Sequence, residues 1–490
     1  MKHCLYILFS LLLLTACSGR PTHATHAATQ PKIFPDYIGV TIPAEIAPLN
    51  FDFAGADCQN LYAEVKGSRS GQMTAQGSSI DFDIDSWHEL TRANRGADLI
   101  VTLYVKADGQ WTQYRPFKIH VSRYPLPDYG LTYRRIAPGY EVFGKMGIYE
   151  RRLADFSERA IFENTESPGA CVNCHTANRT NPSRFTFHIR GQHGATLISR
   201  DGQAELLKAK NEELGGSLVY PYWHPSGRYC AYSTNNTHQG FHSVRSERIE
   251  VFDQSSDVMV YDTERHQVLC SPLLMTRDHF ETYPAFSPDG RWLYFCSSQA
   301  KEIPAGYKQI KYNLCRIAFD ARTGRFGQQV DTIFNARQLG KSAIHPRPSY
   351  DGRYLMFTMA DYGCFPIWHR EADNWLLDLK TQKAAPLTAA NSPGTDSWHN
   401  WSRGSHWFVF TSRRIDGLYT RLYLACIDGH GRVTKPFLLP QRHPQRYYDE
   451  LMLSYNTPDF TSRPVELSAH RLAKKIESDE RAAWSLKHQK

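Results

Sequence analysis

The feature that most restricts the fold is a nine-residue pattern that keeps returning in the second half of the chain. Pro221 to Tyr229 (PYWHPSGRY) is echoed by Pro284 to Trp292 (PAFSPDGRW), by Pro346 to Tyr354 (PRPSYDGRY) and, in degraded form, by His399 to Trp407 (HNWSRGSHW). Each copy runs into an apolar stretch: Cys230 to Ser233, Leu293 to Cys296, Leu355 to Thr358 and Phe408 to Thr411. A Pro/Ser/Asp/Gly turn followed by a β-rich run is a turn between two strands, and the aromatic residue after it fills space against a neighbouring sheet. Further strands follow, as at Asp257 to Asp262 and Trp375 to Asp378. Repeats about 50 to 60 residues apart have the layout of propeller blades, small antiparallel sheets packed around a central channel. Four blades are legible. Thr186 to Leu207 and the region after Leu439 supply one or two more, which predicts five or six blades over residues 186–465.

A second feature carries chemistry. Cys171-Val172-Asn173-Cys174-His175 is a Cys-x-x-Cys-His run, the pattern for covalent attachment of one c-type haem. In that reading Cys171 and Cys174 form thioethers and His175 is an axial iron ligand. The same spacing also serves as half a zinc site, a redox dithiol or a disulfide, but no second ligand pair with zinc spacing lies nearby. A sixth ligand is expected downstream. His188 is the first candidate and His193 the alternative, and their odd spacing would place them on opposite faces of a strand. Met146 could also ligate, though a core methionine is the simpler account. Arg134, Arg135, Arg151 and Arg152 are candidates to pair with haem propionates.

The N-terminus supplies the compartment such a haem needs. Met1-Lys2-His3 precedes an apolar run from Leu5 to Leu14, too short to span a bilayer. Residues 1–16 therefore read as a signal peptide. Leu14-Thr15-Ala16-Cys17 closely resembles the lipobox of bacterial lipoproteins, and the resemblance implies cleavage before Cys17 and acylation of that residue. Ser18 is not the aspartate associated with inner-membrane retention, so the expected place is the outer membrane, facing the periplasm, with lipid on Cys17 as the membrane contact.

Residues 17–32 are small and polar and read as a lipidated tether. Residues 33–123 read as a β-sandwich of the immunoglobulin-like kind, with Phe82 and Ile84 alternating with aspartates and Asp108-Gly109 as a turn. Residues 124–185 form the haem-binding segment, in which Gly147 to Glu163 is expected to be helical, with Ile148, Phe156, Ala160 and Ile161 on one stripe. Residues 466–490 look like a solvated, charged helical tail. The expected fold class is thus mainly β, a sandwich, a short helical haem segment and a five- or six-bladed propeller. The formal charge of +8 is spread along the chain without a basic cluster, which argues against nucleic acid. Eleven cysteines include seven outside the signal, lipobox and haem motif, and apolar burial accounts for most of them.

The Ser-Pro-Asp-Gly-Arg repeat resembles the WD40-like repeat of TolB-type β-propellers. The whole layout is similar to Bacteroidetes-type lipoproteins described as cytochrome-related and TolB-like. That resemblance implies a membrane-anchored mono-haem cytochrome passing single electrons in the cell envelope, its propeller docking a redox or envelope protein partner. Two alternatives stay open: an interaction scaffold in which the haem is structural or sensory, and a peroxidase-like enzyme using His193 beside Gln192 on an open haem face. No nucleophile triad or phosphate loop is present, so catalysis of other kinds has no candidate residues.

Overall fold

A computed structural model of the chain describes residues 19–55, 58–138, 144–167, 169–242 and 249–489. The proposed lipid site Cys17 and the signal peptide lie outside the described residues. The chain divides into two units. Strands make up 49% of the described residues and helices 9%, so the chain is mainly β.

The larger unit is a propeller of six four-stranded sheets. In order from the channel outward, blade 1 is Cys171–Asn178, Asn181–Arg190, Ala195–Arg200 and Gln203–Leu207. Blades 2 to 5 begin with inner strands Leu218–Trp223, His279–Phe286, Ser342–Pro348 and Asp396–Trp401. Blade 6 is composite. Its inner strand, Ser454–Thr461, comes from the end of the chain, and its other three, Gly130–Ile136, Gly147–Arg152 and Glu158–Glu163, come from before blade 1. Pairing of the two ends closes the ring. The buried carboxylate of Asp459 reinforces that closure, accepting from Thr176 Oγ1 at 3.0 Å and the Ala177 N–H at 2.9 Å in blade 1, and from Asn400 Nδ2 at 2.8 Å in blade 5.

The sequence repeat is the turn from the inner to the second strand in blades 2 to 5. In blade 4 Ser349 Oγ bonds Asp351 Oδ1 at 2.6 Å, Tyr354 N–H donates to Ser349 Oγ at 2.9 Å, and Gly352 supplies φ 74°. A left-handed residue is needed to reverse the chain this tightly, which is why glycine recurs there. Blade 2 makes the same turn with His224 and Ser226 in the serine and aspartate positions, the imidazole Nδ1 lying 2.8 Å from Ser226 Oγ.

Several expectations are corrected. Gly147 to Glu163 is not a helix. It forms two antiparallel strands, with Ile148 opposite Phe162 and Tyr149 opposite Ala160, and Ile148 and Ile161 of the expected stripe are buried in one core from the two strands of this hairpin. The boundary placed at 186 falls inside blade 1, and the haem-motif segment is propeller. The region after 465 is not a solvated tail. Helix Ala469–Glu477 buries Leu472, Ala473 and Ile476 against Phe162, Phe187 and Leu206, at about 2 kcal/mol for each large side chain, and Ser485–His488 adds a fifth strand to blade 2.

The smaller unit holds residues up to Val40, Ala47–Arg123 and Pro440–Asp449. Its main sheet runs Ala24–His26, Gln110–Gln113, Ala97–Ala107, Asn60–Gly67 and Gln72–Gly77, with Phe117–Val121 on the first half of Ala97–Ala107. The second layer of the expected sandwich is reduced to the short pair Ile33–Phe34 and Asp52–Phe53 and a helix, Ile84–Ala93. The alternation at Asp81 to Asp85 is therefore a helix start: Asp83 is the N-cap, accepting from Ser86 N–H at 2.9 Å. The expected tether carries the edge strand Ala24–His26, parallel to Gln110–Gln113.

Candidate functional site

All six inner strands share a distortion. Each has a register shift in its pairing with the second strand, and at each shift one non-glycine residue takes a left-handed backbone: Cys174 (φ 54°), Tyr220 (50°), Tyr283 (50°), His345 (59°), Trp398 (44°) and Thr457 (42°). Such residues cost about 1 to 3 kcal/mol apiece and persist where a side chain has to be re-aimed. Cys174, Tyr220, Tyr283 and Trp398 belong to one buried cluster, and His345 packs on Trp398 with ring centroids 4.6 Å apart. The second cysteine of the motif is thus blade 1's contribution to an aromatic ring of inner-strand residues.

The attachment half of the motif lies against a buried arginine. Cys171 and Cys174 are free thiols, one half-buried and one buried. Burial pushes the Cys174 thiol above its ordinary pKa, which disfavours the thiolate a redox dithiol requires. Beside them, Arg134 Nη2 lies 3.3 Å from Cys171 Sγ and 3.5 Å from Met146 Sδ, while its Nε is sealed from solvent and unpartnered. A guanidinium whose contacts are two sulfurs is a ready partner for a carboxylate such as a haem propionate. The other three candidate arginines are already engaged. Arg135 pairs with Glu158, Arg152 with Asp155 at 3.0 Å, and Arg151 with backbone carbonyls.

The histidines are arranged otherwise than the motif leads one to expect. His175 is buried between blades 1 and 6, its Nε2 3.1 Å from Thr132 Oγ1 and its ring 5.9 Å from Phe185. Burial drops its pKa to about 4, so it is neutral, and its Nδ1 has no partner. His188 lies on the opposite face of the blade 1 sheet, toward blade 2. Its Nδ1 meets Thr196 Oγ1 at 3.0 Å, and because that hydroxyl donates to Leu218 O, the imidazole donates through Nδ1 and keeps a lone pair on Nε2. Burial first, then Arg190, lowers its pKa to about 3. The bulge at Cys174 thus puts His175 and His188 on opposite faces, and they do not form the expected ligand pair. His193 sits in a loop with Nδ1 2.9 Å from Asp479 Oδ1, so the expected acid–base pair with Gln192 is replaced by an ion pair to the C-terminal segment.

Next to the motif, a cleft of about 420 Å³ between blades 1 and 2 is lined by His188, Arg190, Gln192, Lys208, Lys210 and Asn235 among others. It contributes cationic and amide groups and no carboxylate. Over blades 2 and 4 lies a further polar cluster: His369 Nδ1 is 3.2 Å from Glu371 and Nε2 3.7 Å from Glu250, and His242 Nε2 is 3.3 Å from Glu250. No group of three or more metal-ligating side chains among the described residues is arranged to hold a metal ion.

The inner-ring residues Tyr220, Tyr283, His345 and Trp398 were not singled out by sequence, although a signal exists. Each stands seven positions before the left-handed residue of its blade's turn, Gly227, Gly290, Gly352 and Ser405.

No family model and no curated protein matches this chain. Among solved structures it is similar to hydrazine synthase of Kuenenia stuttgartiensis (12% identity, TM-score 0.43, 70% of this chain and 50% of that one). It is also similar to a puromycin-hydrolyzing peptidase of Mycobacterium tuberculosis (12%, 0.37, 71% and 52%) and to an oligogalacturonate lyase of Vibrio parahaemolyticus (11%, 0.33, 58% and 84%). The chain spans about half the length of the first two. Likeness at this level assigns no activity.

Proposed function

We propose that this protein is a lipid-anchored, mono-haem c-type cytochrome of the cell envelope that passes single electrons, with haem c joined to Cys171 and Cys174. The observation that carries the reading is the placing of a buried arginine, Arg134, on the thiol of Cys171; among the described residues its guanidinium meets only that sulfur and Met146 Sδ. Bound haem would supply the redox-active iron. The chain would supply the two thioether sulfurs, a cation for a propionate and a surrounding low-dielectric ring, the last two being levers on potential. His175 remains the motif's axial candidate. As the strands stand it is held on Thr132, and Met146 Sδ shares the Arg134 guanidinium with Cys171. The propeller would dock an envelope redox partner, and acyl chains on Cys17 would hold the protein at the outer membrane, facing the periplasm.

Protein made in a host that matures c-type haem should keep its haem through a denaturing gel, show a sharp reduced absorption band and partition with membranes. Cys171→Ser/Cys174→Ser should remove the stain entirely, and Cys17→Ala should release the protein from membranes. Wild-type protein without a stain would defeat the haem reading.

A second reading, a scaffold in which haem adds little, is favoured by one observation. The motif strand makes the same bulged pairing as the inner strands of blades that carry no cysteine–histidine motif, so the backbone plan of blade 1 is that of the ring at large. Equal melting temperatures and equal partner capture for the wild type and the double serine variant would support it.

A further inference from the structure

The ring of inner-strand residues contains more chemistry than the haem reading uses. Tyr283, His345 and Trp398 are 1%, 4% and 3% exposed and touch one another, with Tyr283 centroids 5.7 Å from His345 and 5.9 Å from Trp398. Each carries a sealed polar atom without a well-formed hydrogen bond among the described residues: the Tyr283 hydroxyl, which has only the neighbouring Tyr220 phenol beside it, His345 Nδ1 and Trp398 Nε1. A buried polar atom left without a partner costs about 1 to 3 kcal/mol, and three in contact on three different blades call for a common partner. Their chemistry defines it. An indole N–H can only donate, and a phenol and a neutral imidazole can each donate. Burial, with Arg347 and His399 behind it, holds the His345 pKa well down, so the imidazole is neutral. Arg347 itself is buried, with Nη1 on Pro346 O and its guanidinium over the Tyr222 ring, and it brings a positive field to this part of the channel. Two buried carboxylates lie nearby and both are occupied: Asp459, beside Arg347, with Thr176, Ala177 and Asn400, and Asp253, on the Tyr283 side, with Asn235, Tyr312 and Cys364.

We propose that the propeller axis binds a small oxyanion, of carboxylate or phosphate type, on the hydroxyl of Tyr283, the indole N–H of Trp398 and the imidazole of His345. Donors that are uncharged and held on three separate blades, with a guanidinium behind them, stabilise an anion without the desolvation cost of a direct ion pair. None of the three donors belongs to the motif, although Cys174 lines the same ring.

The test uses the full-length Cys171→Ser/Cys174→Ser chain, so that no anion can bind through iron, titrated calorimetrically with sodium formate and with inorganic phosphate while Trp fluorescence is followed. Saturable one-site binding of at least one probe is expected. It should weaken about tenfold or more in Tyr283→Phe and in Trp398→Phe, each of which removes one donor, with the melting transition retained. Should Trp398→Phe fail to fold, His345→Leu, which also removes a donor, takes its place. Absence of saturable binding by both probes would overturn the proposal, and so would unchanged affinity in Tyr283→Phe. Anion binding seen only in haem-loaded wild-type protein would also overturn it, while leaving the haem reading intact.

Discussion

Blade 1 and blade 4 are built on the same four-stranded plan and use it in opposite ways. Blade 4 fixes its inner hairpin with a polar turn, Ser349 and Asp351 binding one another and the following backbone. Blade 1 turns on Arg179 and Thr180, both left-handed and without that serine–aspartate pair, and concentrates its polar residues on the inner strand as the cysteine–histidine motif. The bulge is common to both and its occupant is not: Cys174 in one, His345 in the other. A propeller can therefore change what lines its channel blade by blade while hairpin register is held elsewhere, by the turn in blade 4 and by neighbouring blades in blade 1.

That division of labour can be broken at graded cost. The largest effect is expected at blade 1's external support. Asp459→Ala should cost about 4 kcal/mol, because Thr176, Ala177 N–H and Asn400 lose a shared acceptor in a buried setting; a denaturant titration measures it. Burial pushes the Asp459 pKa up to about 6 despite those donors. Since the folded value lies above the unfolded one, its contribution is fullest below about pH 4 and declines as pH rises through about 6. Asp459→Asn should flatten that part of the stability–pH curve.

An intermediate effect is expected for the cluster beside blade 4. Burial opposes a charge on His369, but Glu250 and Glu371 outweigh it and raise its pKa to about 9, while Glu371 is lowered to about 2. The raised histidine contributes fully below about pH 6.5 and is lost through pH 9; the depressed carboxylate contributes above about pH 4.5 and is lost through pH 2. His369→Gln should cost about 2 kcal/mol near pH 6 and little at pH 10, read from melting curves at the two values. The smallest effect is the local one. Ser349→Ala should cost about 1 kcal/mol by the same denaturant titration, and a loss as large as that of Asp459→Ala would show that the turn, rather than the interblade contact, governs the ring.

The same contrast explains what could be read from sequence. Blades 2 to 5 announce themselves because Ser-Pro-Asp-Gly-Arg is a local requirement of one turn. Blade 1 replaces that turn with two residues, and blade 6 is assembled from segments at either end of the propeller, so neither carries the mark. Ile148 and Ile161 are apolar for the sake of a hairpin whose register lies in pairing, and a helical period fits them by coincidence. Asp83 was misread for the reverse reason, since its side chain caps a helix that an alternating pattern hides. At the site, the Cys-x-x-Cys-His run was legible because all its members are adjacent in sequence. Tyr283, His345 and Trp398 converge from three blades, and Arg134 reaches Cys171 from blade 6. No local pattern records such meetings. The face on which His175 and His188 fall is likewise decided by the bulge at Cys174, which shifts register between Asn173 and Thr176.

Blade 6 joins a strand near residue 130 to one ending at Thr461, and Thr176 meets Asp459 across 283 positions of sequence. During synthesis the motif strand is therefore complete long before the strand that seals it exists. For that interval the thiols of Cys171 and Cys174 stand at the rim of an unfinished circle, within reach of any enzyme that must work on them, and the arrival of the last inner strand sets the time at which that access ends.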